Sequence, residues 1–255
     1  MADRRKFIKN FGAATFTATM PNILRASSLP KAADLRFVPS TESNAVNYSQ
    51  GYPKQHQRTP NYRAFCDTPE AAQTAIRWAR DTNQSFATRS GGHCFMGFSQ
   101  SDNLVLDTRG MSDIKINADQ RTVTVGAGVK LGPLYRALAK QGFALAGGTY
   151  GGVGIAGHTL GGGFGYRCRS DGLLIDQLVS LDMVLADGQI VTASANQNSD
   201  LFWACRGGGG GQFGVATSFK FKVKSSSPMH WISIYEPVGF SRAAQILFLW
   251  QYWSQ

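Results

Sequence analysis

Apolar residues along this chain fall into two periods, one helical and one alternating, broken by glycine-rich gaps. Ala72, Ala75, Ile76 and Ala79 recur at the helical spacing. Thr68 as N-cap, Pro69 at the first helical position and Glu70 beside the positive end of the dipole mark where that helix opens. Ser85 to Thr88 and Leu104 to Asp107 read as strands. Ile114 to Ile116 and Thr122 to Val125 flank a turn and predict a hairpin. Leu131 to Gln141 predicts a helix that Gly142 ends. Val179 to Ala186 and Gln189 to Thr192 predict a second hairpin about Asp187-Gly188. Ser199 is read as the cap of a short helix running to Arg206, and Val215 to Val223 alternates as a strand. Ser225 to Pro228 marks a boundary, followed by a strand at Trp231 to Tyr235 and a helix from Ser241. Ile246 to Trp253 is so apolar that this last helix must pack on something.

The glycines gather in the gaps between these elements. Arg89-Ser90-Gly91-Gly92-His93-Cys94 follows a strand, where paired glycines leave room for backbone N–H groups to face a pyrophosphate. A phosphate loop rarely needs an imidazole at its lip, but a loop that holds a flavin and bonds to it does. Gly147-Gly148-Thr149-Tyr150 leads into Gly152-Val153-Gly154-Ile155-Ala156-Gly157-His158-Thr159-Leu160-Gly161-Gly162-Gly163-Phe164-Gly165. A third element runs from Leu201 through five glycines, Gly207 to Gly211, and closes on Gln212-Phe213-Gly214-Val215. Gly152-x-Gly154-x-x-Gly157, with Asp176 downstream, also satisfies the dinucleotide fingerprint of a Rossmann-type NAD-binding protein. Three successive glycines at Gly161 to Gly163 oppose the helix that fingerprint needs, so a long loop winding along a cofactor fits better. A bare glycine linker would not carry Val153, Ile155, His158 and Phe164 at such regular places.

These loops, in this order and spacing, resemble the FAD-linked oxidases of the berberine-bridge-enzyme type, within the vanillyl-alcohol-oxidase superfamily, over roughly Asn61 to Val223. The resemblance implies an α+β fold: a PCMH-type FAD-binding domain of two α+β subdomains, followed by the start of a substrate domain. It divides the chain into an extended lead-in at 29–56, the FAD-binding domain at 57–226 and the beginning of an incomplete substrate domain at 227–255. Arg89, Ser90, Gly91 and Gly92 would wrap the FAD pyrophosphate, with Cys94 a loop contact, and His93 would bond to the flavin 8α-methyl carbon. The other reading of His93 is a hydrogen bond only. Relatives that attach flavin twice use a cysteine where this chain has Tyr150, which implies FAD held once. His158 would sit near the N1/C2 edge as a donor to reduced flavin, its alternative being a structural histidine. Gly154, Gly157, Gly161, Gly162 and Gly163 would let the backbone approach, and Gly214 and Val215 would complete the site. Val153 holds the position that gates oxygen in the family, or is ordinary loop packing. The family's Gly-Leu-Ala-Ala-Asp-Asn segment is Gly172-Leu173-Leu174-Ile175-Asp176-Gln177 here, a local departure. The implied activity is hydride transfer from an alcohol of a sugar-like, phenolic or related small molecule, with dioxygen as acceptor. The base that assists it usually comes from the C-terminal half, and no residue here is nominated for it. The rival reading is a truncated flavin-binding remnant without turnover.

Charge adds an address. Arg4, Arg5, Lys6, Lys9, Arg25 and Lys31 stand against Asp3 alone in the first 31 residues, half of the chain's net +10. With the mildly apolar Phe11 to Met20 and a small-residue site at Ala26-Ser27-Ser28, residues 1–28 read as a twin-arginine signal peptide. The expected partner is the twin-arginine translocase, and the expected location periplasmic or secreted. The remainder has no basic run interleaved with aromatics, which argues against nucleic acid. No stretch is long and apolar enough for a stable membrane span. Cys66, Cys94, Cys168 and Cys205 show no zinc spacing with the four histidines, so no metal is expected.

Overall fold

The computed structural model describes residues 29–43, 50–227 and 239–253, and within these the chain is α+β, as expected. The signal segment expected at 1–28 and the strand expected at Trp231 to Tyr235 lie outside the described residues.

A first, mixed sheet holds β1 (Leu35–Pro39), β2 (Tyr62–Cys66), β3 (Phe86–Arg89) and β4 (Leu104–Asp107) in the order β1-β2-β4-β3. β2 and β3 both run parallel to β4, with Arg89 opposite Asp107 and Phe65 opposite Asp107. The carboxyl ends of three neighbouring strands therefore lie side by side, and the loop after β3 leaves from there. That is where open α/β sheets hold ligands. Helix α1 (Pro69–Asp81) crosses between β2 and β3 and buries Ala71, Ala72, Ala75, Ile76 and Ala79. Its start matches the pattern of the sequence: the Thr68 side chain accepts from the Ala71 N–H at 3.2 Å.

A second sheet is antiparallel, in the order β5 (Ile114–Asn117), β6 (Thr122–Gly126), β10 (Val215–Lys222), β8 (Leu178–Val184), β9 (Ile190–Ser194). Both predicted hairpins are present as β5–β6 and β8–β9. Helices α2 (Leu131–Ala139), α3 (Ile155–Leu160), α4 (Cys168–Asp171) and α5 (Ser199–Cys205) belong to this half, and Gly142 after α2 takes φ +74°. A two-stranded ribbon joins β7 (Phe143–Ala144) to β11 (Lys224–Ser225). The core of this half gathers Leu131, Leu134, Leu138, Ile155, Leu181, Phe219 and Phe221, while the core around α1 also takes in Val184 and Val215. α1 thus packs on the first sheet and touches β8 and β9 of the second. Among the described residues, no helix is long and apolar enough to cross a membrane.

Two local expectations are corrected. The fingerprint glycines were expected in a continuous loop, yet Gly154 is the N-cap of α3, which ends at Gly161. Six residues suffice because buried Ile155 anchors the turn, its N–H donating to Val129 O at 2.8 Å, before Gly162 and Gly163 turn left-handed. Ser199 is the first residue of α5 rather than its cap; Asn198, at φ +46°, holds that place. The Asn198 side chain donates instead to Thr192 O, so it fastens the helix start to β9. The last helix, α6 (Phe240–Trp253), leaves Leu247, Phe248, Leu249, Trp250, Tyr252 and Trp253 exposed.

Candidate functional site

The loop after β3 meets the segment before α3 with no side chain between them. A Cβ at Gly91 would run into the Gly154 backbone, and a Cβ at Gly154 into Gly91 and the Ser90 hydroxyl. Backbone here approaches backbone, which only glycine permits. Ser90 Oγ donates to Ala127 O at 2.6 Å and ties the loop of the first subdomain to the second. Along this seam opens a cavity of about 1170 Å³. Small-molecule pockets are usually about 300–1000 Å³, so this one has room for an extended dinucleotide.

The cavity collects most of the residues expected from the sequence. Ser90, Gly91, Gly92, His93, Cys94, Tyr150, Val153, Gly154, Gly157, His158 and Gly214 all line it. Arg89, Gly161, Gly162, Gly163 and Val215 do not. Strand alternation explains Val215: its side chain joins the core around α1, and the next residue, Ala216, faces the cavity at a bulge in β10. Gly163 serves packing instead, since a Cβ there would strike the Leu174 side chain. Sequence reasoning missed Tyr52 and Thr108, which also line the cavity, as does Phe164 of the second glycine loop. Periodicity carries no signal for Tyr52, which lies in the turn-rich lead-in.

Arg89 lies behind the loop in a buried ionic cluster. Asp107 and Arg89, the last residues of β4 and β3, are met by the side chain of Arg63 from nearer the start of β2; the side chains of Arg63, Asp107 and Arg89 are 2%, 0% and 6% exposed. Asp107 accepts from Arg63 Nη1 at 2.9 Å and from Arg109 at 2.7 and 2.9 Å, whereas Arg89 Nε stands 3.9 Å away. Arg63 Nη2 and Arg89 Nε and Nη1 are buried without a hydrogen-bond partner. Burial, then the repulsion of Arg63, lowers the Arg89 guanidinium to about 10, which leaves it charged at neutral pH. Two buried cations therefore share one buried anion, and the Arg89 guanidinium lies against Gly92 of the loop. An anionic ligand above that loop would supply the missing charge.

His93 stands at the rim. Tyr52 stacks on its ring, centroids 4.7 Å apart and planes at 22°, and Tyr150 tilts against it at 5.4 Å. Burial first, then Lys130 and Arg89, hold its pKa below the usual histidine value, so the neutral ring is favoured. His158, at the end of α3, accepts from the Gly148 N–H through Nε2 at 2.7 Å. Tyr135 donates to the Gly148 carbonyl at 2.8 Å, and burial lowers the His158 pKa. The hydrogen-bond network thus assigns the proton of neutral His158 to Nδ1. All four cysteines are free thiols; Cys94 lines the cavity and Cys168 does not. The glycine cradle, the buried guanidinium nitrogens without a hydrogen-bond partner, the large volume and the apolar walls of Val153, Ala156, Leu160 and Phe164 together fit a dinucleotide carrying a diphosphate and an aromatic ring.

Known proteins agree with that chemistry. A family described as the FAD binding domain matches residues 60–194. The uncharacterized FAD-linked oxidoreductase YgaK of Bacillus subtilis is 38% identical over 204 residues, covering 78% of this chain and 45% of the relative. Among solved structures, BBE-like 1 of Physcomitrella patens superposes with a TM-score of 0.73 at 34% identity, covering 75% of this chain and 42% of that one. Glucooligosaccharide oxidase from Acremonium strictum, whose FAD is 6-S-cysteinyl and 8α-N1-histidyl, gives a TM-score of 0.72 at 31% identity over 76% and 41% of the two chains. The chain spans less than half the length of these relatives.

Proposed function

This chain belongs to the berberine-bridge-enzyme-like family of FAD-linked oxidoreductases, and on that premise we propose that it holds FAD in the seam between its subdomains, bound once through His93. The reaction we propose is oxidation of an alcohol group on a sugar-like, phenolic or related small molecule, with dioxygen as the final acceptor. One observation carries the reading: the Gly91–Gly154 backbone contact, with buried guanidinium nitrogens that lack a hydrogen-bond partner behind it and a stacked histidine at its rim.

When bound, FAD supplies a two-electron acceptor for the alcohol C–H hydrogen and returns the pair to dioxygen. The residues of this chain prepare that chemistry. Gly91 and Gly92 offer backbone N–H groups to the diphosphate, and Arg89 and Arg63 set positive charge under it. With FAD bound, neutral His93 would bond through a ring nitrogen to the 8α carbon, the N–H and C–H hydrogens leaving with two electrons that dioxygen would take up as hydrogen peroxide. The histidyl linkage of the Acremonium oxidase supports this assignment. Tyr150 stands where a second, cysteinyl link would need a thiol. His158 lines the cavity with its proton on Nδ1 and would donate from there to a reduced flavin. Val153, half-buried in the cavity wall, controls how much space dioxygen finds there.

Acid precipitation of purified protein tests the attachment. Yellow colour should stay in the wild-type pellet and pass to the supernatant in His93→Ala. Recovery of all wild-type flavin in the supernatant would remove the covalent bond from this account.

A further inference from the structure

Residues 50–52 lie upstream of the stretch that matches the FAD-binding family, yet three contacts fasten them to the loop that carries His93. Arg89 Nη2, at the start of the loop, donates to Gln50 O. The Tyr52 N–H donates to Gly92 O at 2.9 Å, which grips the peptide just before His93. The Tyr52 ring then lies on the imidazole. We propose that Gln50–Tyr52 completes the cofactor site and that Tyr52 is a positioning residue, fixing the His93 ring for attachment to flavin. This inference rests on the attachment proposed above.

The need for such a clamp follows from the loop itself. Gly92 takes φ +71°, a conformation that its lack of a side chain makes easy to enter and easy to leave. An imidazole on such a hinge turns about two side-chain torsions, and bond formation requires one setting of both. Tyr52 covers one face of the ring and Tyr150 leans on it at 57°, so the two together restrict its rotation. Tyr52 has little structural work otherwise. It is 56% exposed, and its ring contacts are with His93, Phe95 and Tyr150, all on the cavity wall. The step it assists joins the His93 nitrogen to the flavin methyl carbon, and the two displaced hydrogens end on dioxygen as hydrogen peroxide.

Full-length apoprotein from flavin-starved cells, mixed with FAD in air, gives the test. Acid-stable flavin is followed against time, and quenching of FAD fluorescence gives the Kd before attachment. Tyr52→Phe keeps the ring and should attach within about twofold of the wild-type rate. Tyr52→Ala and Tyr52→Leu should attach roughly three- to tenfold more slowly, the range expected from losing one aromatic pair, with Kd changed less than about twofold. Equal rates in wild type, Tyr52→Ala and Tyr52→Leu would overturn the proposal. So would a weakening of Kd in step with the rate, which makes Tyr52 a binding residue only. A wild type that gains no acid-stable flavin overturns the attachment reading itself, a result distinct from either.

Discussion

Asp107→Asn is the most exposing perturbation of this molecule. Asparagine keeps the size of the side chain and an oxygen acceptor but removes the charge. In the folded protein Asp107 is wholly buried and faces Arg63 at 2.9 Å, Arg109 at 2.7 Å and Arg89 at 3.9 Å. Arg109 is 44% exposed and water screens its share of the attraction, so its loss costs little. Arg63 and Arg89 have no such relief. Their attraction to Asp107 opposes the desolvation of two guanidiniums, and without it they face each other across a dry strand end. Removing one partner of a buried ion pair costs about 3–5 kcal/mol. In urea unfolding followed by tryptophan fluorescence, that is a midpoint lowered by about 1–2 M. Adding Arg63→Met removes one of the uncompensated cations and should recover part of the loss. An Asp107→Asn midpoint corresponding to under about 1 kcal/mol, or a double variant that falls further by the full cost of Arg63→Met alone, would show that the cluster is not held by Asp107.

Two more outcomes follow from the cavity. Val153→Ile adds a methyl group to a wall that is already packed on one side, so air reoxidation of the dithionite-reduced protein should slow severalfold while reduction is spared. Equal reoxidation rates by stopped flow would remove Val153 as a gate. His158 is half-buried, its neutral form is favoured by that burial, and it accepts a hydrogen bond that an imidazolium cannot accept. Its folded pKa lies below that of the unfolded chain, so the unfolded state takes up the proton first. Stability is full above about pH 6.5 and falls as the pH drops from there toward the folded pKa. His158→Ala should flatten that part of the pH profile and cost about 1 kcal/mol for the Gly148 N–H left unpaired. A urea midpoint whose pH dependence is the same in His158→Ala and wild type would refute the assignment.

Much of this architecture is legible in the sequence because it is local. Thr68-Pro69-Glu70 states a helix start in three residues, and Asp187-Gly188 states a hairpin in two; both are present where expected. The glycine loops are legible for a related reason: Gly91 and Gly154 are glycines because a side chain would collide there. What the sequence hides is non-local. Arg63 and Asp107 are 44 residues apart, and nothing in their spacing says that parallel register brings them together. Tyr52 sits in a polar, proline-bearing stretch without periodicity, and only the folded loop shows which ring it covers. The sequence puts Val215 in the site, whereas its side chain joins the core around α1 and strand alternation turns its neighbour Ala216 to the cavity.

The cleft and the junction between the subdomains are one structure, so the proposed binding of cofactor there would be coupled to folding. Few direct links cross the seam beside the glycine contact: Ser90 Oγ to Ala127 O, and the Gly128 N–H to Met111 O on the far side of the same turn. α1 adds apolar contact between the sheets further from the cleft. At the cleft itself the first subdomain contributes a surplus of buried positive charge and the second contributes the backbone from Gly148 to Gly157. Neither side alone satisfies those cations. On the proposed reading, a diphosphate held between them would offset the charge surplus of one half while contacting the backbone of the other. Its binding energy would then act on the folded pair and not on either half separately, as for any ligand that binds only the native state. The glycines at the seam keep the distance short enough for that bridge, and Asp107 keeps the cations from separating the strands that carry them.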